Sequence, residues 1–374
     1  MENLRLRVKN LSFSLAYHFT FAAEVTPQPP SVKKDINILR DSDKRFINIY
    51  FSRFVFEKGS SNMIGGNSTK GYTCVLMAAL LWASSGTIGK TLFQTGITPM
   101  ELVQIRVTLS ALFIGLFFVS FRRPLLRIRG TDILYFLFLG GVAMAMVQIS
   151  YFSAISKIQV SAAIILEYLA PILVAIYSIV FWNESITVSK ITALFLAMAG
   201  CFLVVGGYNL HILEMNRVGI LWGLASAISF ASYTLLGEAG LRRYPPWTVI
   251  FYAFVFAAVS LNIVSAPPDY LLTDYGASQS LYLLYLVIFG TIIPFWLYFV
   301  GINYICSTQT VITATFEPIS AAFMAYFLLG EVLDPFQIIG GISVISAIIL
   351  LQLQREQDEM APALIRMQKK GEND

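Results

Sequence analysis

From Tyr72 to Leu353 the chain states one pattern ten times: a long, predominantly apolar run, then a connector that is often under ten residues. A helix needs about 20 such residues to cross hydrocarbon. The runs are Tyr72–Phe93, Leu102–Phe121, Ile133–Ala154, Val160–Trp182, Val188–Gly207, Val218–Leu236, Val249–Ala266, Leu281–Gly301, Thr310–Leu329 and Phe336–Leu353. A soluble fold of ten buried helices would need polar residues to coat it, and these connectors are too short to supply them. Only 13% of residues are charged, against about 25% in soluble domains. Strands of a membrane barrel would alternate over about ten residues, and these runs do not alternate. Helices are the remaining way to pair every backbone group in lipid. The expected fold class is therefore an all-α membrane protein with ten transmembrane helices.

Basic residues orient the runs. Arg122, Arg123, Arg127 and Arg129 follow the second, Lys190 the fourth, and Arg242 and Arg243 the sixth. Arg355, Arg366, Lys369 and Lys370 follow the tenth. With ten spans all of these share one side. The other side offers only Lys90, Lys157 and Arg217, and its loop Pro267–Ser280 holds Asp269 and Asp274 without a basic residue. Both termini are expected to be cytoplasmic. The basic stretches are short flanks of apolar runs rather than a nucleic-acid footprint, so no nucleic-acid partner is expected. Cys74, Cys201 and Cys306 lack metal or disulfide spacing, and two histidines, His18 and His211, argue against most His-based metal chemistry. No metal and no cofactor are expected.

Residues 1–70 differ from the rest of the chain: they are mixed in composition, with Pro27, Pro29, Pro30 and several Lys and Arg. Three readings stand: a poorly ordered cytoplasmic tail, a signal peptide over Leu11–Ala23 that His18 interrupts, or a true start at Met63. The favoured reading is the tail. Residues 353–374 read as a cytoplasmic C-terminal tail.

The middle of the chain is written twice. A shift of 147 residues places Pro171 on Pro318, Glu184 on Glu331, Ile165 on Ile312, Tyr151 on Tyr298, Phe152 on Phe299 and Ile158 on Ile305. Before Pro99 the shift becomes 148: Gly71 meets Gly219, Ala79 meets Ala227 and Ser84 meets Ser232. The repeats run over 71–207 (helices 1–5) and 219–352 (helices 6–10). Five spans per repeat is odd, so the second enters the membrane from the opposite side. Two inverted five-helix repeats are the arrangement of many secondary transporters, with the site between the halves near the midplane.

The segments ALLWASSGTIGK (Ala79–Lys90) and FEPISAAFMAYFLLGE (Phe316–Glu331), the latter followed by Gln337 and Gly340, carry a family resemblance. The first repeat echoes the second segment in LAPILVAIYSIVFWNE (Leu169–Glu184), then Gly200. Over roughly 71–352 the chain resembles the EamA type of the drug/metabolite transporter superfamily. The resemblance implies a ten-helix carrier in the cell membrane, with a central cavity lined by the first, third and fourth helices of each half and the fifth helices at the periphery. It implies movement of amino acids, other small metabolites or drugs, commonly outward, and names no substrate. It would place Trp82, Gln148, Tyr151, Trp296 and Tyr298 on the cavity. One departure stands out: opposite Glu317 the first repeat has Ala170, and its own acid, Glu167, lies three residues earlier.

A charge at a helix centre costs about 2.5–3.5 kcal/mol on insertion scales, so Glu167 and Glu317 need a reason. They can bind a cationic group or a proton in a wet cavity, or hydrogen-bond a neighbouring helix. Tyr168 and Pro171 give Glu167 a polar groove, and Pro318 frees a carbonyl in the turn before it. A carboxyl kept neutral by desolvation would make protons the coupling ion. Lys90, Glu101, Gln104 and Arg106 fall near the outer ends of the first two helices. Lys90 can snorkel and pair with Glu101, while Arg106, a turn deeper, suits an outer gate or a substrate carboxylate. One base and two acids in one cavity suit an amino acid or another zwitterion. Ser84, Ser85 and Gly86 permit close helix approach, and Glu184 and Glu331 suit helix caps or turns.

The expected partners are thus a small-molecule substrate and the lipid bilayer. An enzyme is not expected, because HExxH, GxSxG and a phosphate-cradling glycine loop are absent from the sequence. A nucleotide-sugar or other organic-solute carrier, and a non-transporting receptor or assembly factor, are the alternative readings. The sequence does not decide the oligomeric state.

Overall fold

The apolar runs fold as helices, and the computed structural model describes residues 63–182, 184–185, 187–208, 216–265, 275–329, 334–353 and 362–363. The N-terminal tail readings, most of the C-terminal tail, Glu331, and the loop acids Asp269 and Asp274 lie outside the described residues. The first half is α1 (Met63–Gln94), α2 (Pro99–Phe121), α3 (133–157), α4 (160–181) and α5 (Val188–Val204). The second half is α6 (Arg217–Leu241), α7 (Pro246–Val264), α8 (277–304), α9 (307–329) and α10 (Pro335–Leu353). Among the described residues there are no strands. Among the described residues, eight helical stretches are long and apolar enough to cross a membrane, and α5 is a shorter apolar helix. The count reaches ten because the stretch Ala277–Ala314 is two helices. It turns at Ile305 and Cys306, where Cys306 takes a φ of 59°. The helix α1 begins at Met63 rather than Tyr72, ahead of the apolar run.

Both halves share irregularities that hydropathy does not reveal. The helix α4 is built from Val160–Glu167 and Ala170–Phe181, and α9 pauses at Thr315 before Phe316–Leu329. The pauses fall at matched positions, just ahead of Pro171 and Pro318. A proline has no N–H for the carbonyl four residues earlier, so the carbonyls of Glu167 and Ala314 lose their usual helical partner. In addition, α3 and α8 each contain a π-helical segment, Leu137–Met144 and Ile288–Ile292. Such segments often mark functional positions.

The halves interlock rather than sit side by side. A Cβ at Gly71 of α1 would lie 2.8 Å from Ile305 Cγ2 and 3.0 Å from Tyr304 Cβ. One at Gly219 of α6 would lie 2.5 Å from Ile158 Cγ2 and 3.1 Å from Lys157 Cβ. These are repeat-matched positions making the same contact in opposite directions. The helix α1 packs on the α8–α9 junction, and α6 packs on α3 and the start of α4. At the edge, α5 packs on α10. There a Cβ at Gly340 would meet Gly200 O at 2.6 Å, and one at Gly200 would meet Gly340 O at 2.7 Å. Gln337 Nε2 donates to Val204 O at 3.1 Å across the same pair. The two inverted five-helix repeats are thus joined by reciprocal contacts.

The basic loops that follow α2 and α6 lie at one end of the bundle. Arg243 Nη1 pairs with Asp132 Oδ1 at 3.0 Å, and Tyr244 Oη donates to Asp132 Oδ2 at 2.5 Å. Thr248 Oγ1 and Tyr252 Oη donate to the carbonyls of Leu125 and Leu126.

Because the Gly200–Gly340 crossing leaves no room for a side chain, Gly340→Leu should destabilise the protein by about 1–3 kcal/mol. Thermal unfolding in detergent checks this. The pair Gly200→Ala and Gly340→Ala should cost less together than the sum of each alone, because they strain one contact.

Candidate functional site

The residues that the sequence marks out as costly in lipid converge. A cavity between the halves is lined by Trp82 and Ser85 of α1, Arg106 of α2, and Val147, Gln148, Tyr151 and Phe152 of α3. Glu167 and Tyr168 at the α4 pause, Phe230 of α6, Phe295 of α8 and Glu317 at the α9 pause complete it. The space open to the centres of water-sized molecules is about 50 Å³, room for several waters by the usual measure. First, third and fourth helices of both halves contribute, with Arg106 as an addition from a second helix.

The two pauses meet through one phenol. Tyr168 Oη lies 2.7 Å from Ala314 O, the carbonyl that Pro318 leaves without its helical donor, and 3.0 Å from Glu317 Oε2. Glu167 Oε1 accepts from Ser226 Oγ of α6 at 2.9 Å. Each carboxylate therefore has one oxygen engaged by a neutral hydroxyl. Among the described residues no cation pairs with either. Although Glu167 and Glu317 are not at matched repeat positions, they are one turn apart in register, at the end of one helical piece and the start of another. Both face the same cavity.

Arg106 is 2% exposed. Its Nε donates to Thr291 Oγ1 at 2.9 Å and its Nη2 to Gly290 O at 2.8 Å. Both partners belong to the π segment of α8, whose altered winding presents a carbonyl sideways. The guanidinium lies over the Phe152 ring, 4.5 Å from its centroid. Among the described residues its Nη1 has no partner, and neither do Gln148 Nε2 and Trp82 Nε1. Three buried donors and two carboxylates thus face one space. Leaving a buried polar group unpaired costs about 1–3 kcal/mol, so this set is poised for a ligand that both accepts and donates.

The remaining sequence candidates separate from this group. Gln104, two residues from Arg106 and on the other face of α2, donates to Leu261 O and Ser265 O of the α7 end. Glu101 closes a capping box with Thr98, accepting from Thr98 N at 2.7 Å while Thr98 Oγ1 accepts from Glu101 N. Lys90 is half-buried and makes no ion pair with Glu101 among the described residues, because that carboxylate is turned back on its own helix. Lys90, Glu101 and Gln104 therefore do not form one cluster with Arg106. Trp296 stacks on Trp247, with centroids 4.8 Å apart, and is not on the cavity; its neighbour Phe295 lines it instead. Tyr298 lies behind Trp82, 5.3 Å between ring centroids, and exchanges a hydrogen bond with Thr234 Oγ1 at 2.8 Å. Glu184 accepts from Thr308 Oγ1 and pairs with Lys190, a structural role at the basic end. Ser226, Thr291 and Phe230 are site-supporting residues without a sequence signal, since polar or aromatic residues are common in such helices.

Tyr168→Phe strips the hydroxyl from both pauses at once. It should lower stability by about 1–3 kcal/mol, the cost of stranding buried acceptors, read as a fall in thermal unfolding temperature. Trp296→Phe should leave ligand-dependent thermal stabilisation near the parental level, and Trp82→Phe should reduce it.

Comparison with known proteins identifies the family and the fold. The profile of the EamA-like transporter family matches residues 69–206 and again 217–353. The uncharacterized inner membrane transporter YicL of Salmonella typhimurium is 28% identical over 298 residues, 77% of this chain and 97% of its own. The uncharacterized transporter YwfM of Bacillus subtilis is 26% identical over 290 residues, 73% of this chain and 92% of its own. One solved crystal structure superposes with a TM-score of 0.60 at 16% identity, over 77% of this chain and 98% of that one, a likeness of fold alone. The chain is a multi-pass membrane protein and belongs to the EamA-like transporter family.

Proposed function

We propose that this transporter carries a small zwitterion, an amino acid or a close analogue, by alternating access. One observation carries the reading: among the described residues, Arg106 Nη1, Gln148 Nε2 and Trp82 Nε1 lack partners in the same cavity where Glu167 and Glu317 lack a cation. A carboxylate at the guanidinium and an ammonium at the carboxylates would satisfy both ends. A nucleotide sugar suits the site less well, since its pyrophosphate would meet a single guanidinium beside two carboxylates. The reciprocal packing of the halves supports exchange between two states of similar energy. Two acids against one base leave a carboxyl for a proton once a zwitterion is bound, which supports proton coupling.

The basic loops support cytoplasmic termini, and the inner-membrane relative YicL supports a location in the cell membrane. Export is the direction that the family resemblance implies.

The test is reconstitution into liposomes with a panel of radiolabelled amino acids, other metabolites and nucleotide sugars, with and without a pH gradient. Uptake of a zwitterion, lost about tenfold or more in Arg106→Gln, is the expected result, the scale of removing a hydrogen bond to a charged group. Transport of a nucleotide sugar alone, or an Arg106→Gln variant with parental rates, would contradict it. Glu167→Gln and Glu317→Gln should flatten the pH dependence of transport; an unchanged pH profile in both removes proton coupling.

A further inference from the structure

At the end of the bundle that carries the basic loops, charged side chains tie helices of the two halves together. Glu238, in the last turn of α6, is 1% exposed. Its Oε1 accepts from Arg242 Nη2 at 2.9 Å, and its Oε2 accepts from the backbone N–H of Ser307 at 2.8 Å. Ser307 is the first residue of α9 after the turn at Ile305 and Cys306. The carboxylate therefore sits on the positive end of that helix, where an anion is favoured. Arg242 in turn lies over the Trp182 ring at the end of α4, 4.5 Å from its centroid. Beside it, Thr308 Oγ1 donates to Glu184 Oε2 at 2.7 Å, and Lys190 Nζ pairs with Glu184 Oε1 at 3.3 Å. This set joins α6 and α9 of the second half to α4 and α5 of the first.

The opposite end has a matched position with the opposite charge. The 148-residue shift sets Lys90 against Glu238. The register is checked by the preceding residue: a Cβ at Gly89 would meet Phe152 at 2.5 Å, and one at Gly237 would meet its counterpart Phe299 at 2.6 Å. Val160, the first residue of α4, is the counterpart of Ser307. An ammonium has donors only, so Lys90 cannot accept from the Val160 N–H, and its charge opposes the positive end of a helix. Among the described residues Lys90 has no ion pair and no side-chain hydrogen bond.

We infer that Glu238 is the gate residue of this carrier. Its hold on the Ser307 N–H keeps the basic-loop end shut, and the protein rests closed at that end because the twin position, Lys90, cannot form the same latch. Arg242 is a positioning residue, fixing the carboxylate and tying it to α4. The meaning of a gate rests on the alternating-access reading; the latch itself does not.

Cys306, buried next to Ser307, reports on the latch. In the full chain with Cys74→Ser and Cys201→Ser it is the one remaining cysteine. Its alkylation by a membrane-impermeant maleimide is measured in right-side-out and inside-out membrane vesicles. The parent should label slowly from both faces. Glu238→Ala should label faster by about tenfold or more, the scale of one hydrogen bond to a charged group, and from one face only. Glu238→Gln, which keeps an acceptor for Ser307, should label at a rate between the two. Lys90→Glu supplies the opposite end with an acceptor and should raise Cys306 labelling while Glu238 is intact. Parental labelling rates in Glu238→Ala or in Lys90→Glu would overturn the inference. So would labelling that rises equally from both faces with a matching loss of thermal stability, which is loss of fold rather than opening. One-sided labelling in a protein that moves no zwitterion in liposomes would leave the gate standing and remove the substrate reading.

Discussion

Two helices that stop and restart inside an apolar layer set the terms for the rest of this structure. Every backbone group there must find a partner without water, yet Pro171 and Pro318 each take one away. The structure answers at α9 with a side chain from the other half: the Tyr168 hydroxyl reaches the Ala314 carbonyl and the Glu317 carboxylate together. The same contact brings the two pauses beside each other. Glu167 and Glu317 are thereby delivered to one cavity, although the repeat does not align them. Arg106 enters from α2 and is held by the π segment of α8, a second departure from regular winding used to place a charge.

The interlocked halves explain how such a site can belong to a transporter. Because α1 packs on the second half and α6 on the first, neither half encloses the cavity alone. In the alternating-access reading proposed above, a rotation of one half against the other would change both ends of the bundle around a site that stays at their boundary. The ends differ in chemistry, however. The basic-loop end has Glu238 on the first N–H of α9, and the matched residue at the other end is a lysine. A protein built from two similar halves therefore carries unlike contacts at its two ends.

Much of this was legible in the sequence, and what was not has physical reasons. Long apolar runs and the shared Pro-to-Glu spacing reveal the spans and the repeat. Charges inside those runs are few, so Glu167, Glu317 and Arg106 stand out as residues with a job. The pauses and π segments are hidden, because hydropathy responds to composition and not to φ. Trp296 shows the limit of placing a residue by run alone: one residue of helix is about 100° of rotation, and it is Phe295 that faces inward. Glu101 looked available for Lys90, but its position three residues after Thr98 gives it a nearer backbone partner. Glu238 was hidden by location, since an acid just before Arg242 and Arg243 at the end of an apolar run reads as an interfacial residue.

The central claim is that the two ends of the bundle open in turn around one shared site. Distances between spin-label pairs in lipid nanodiscs test it most directly. One pair at positions 185 and 245 spans the basic-loop end, and one at positions 94 and 278 spans the other. With and without a saturating amino-acid mixture, the account predicts that the two distances change in opposite directions. Two distances that lengthen or shorten together, or that both stay fixed while the same protein transports, would contradict it.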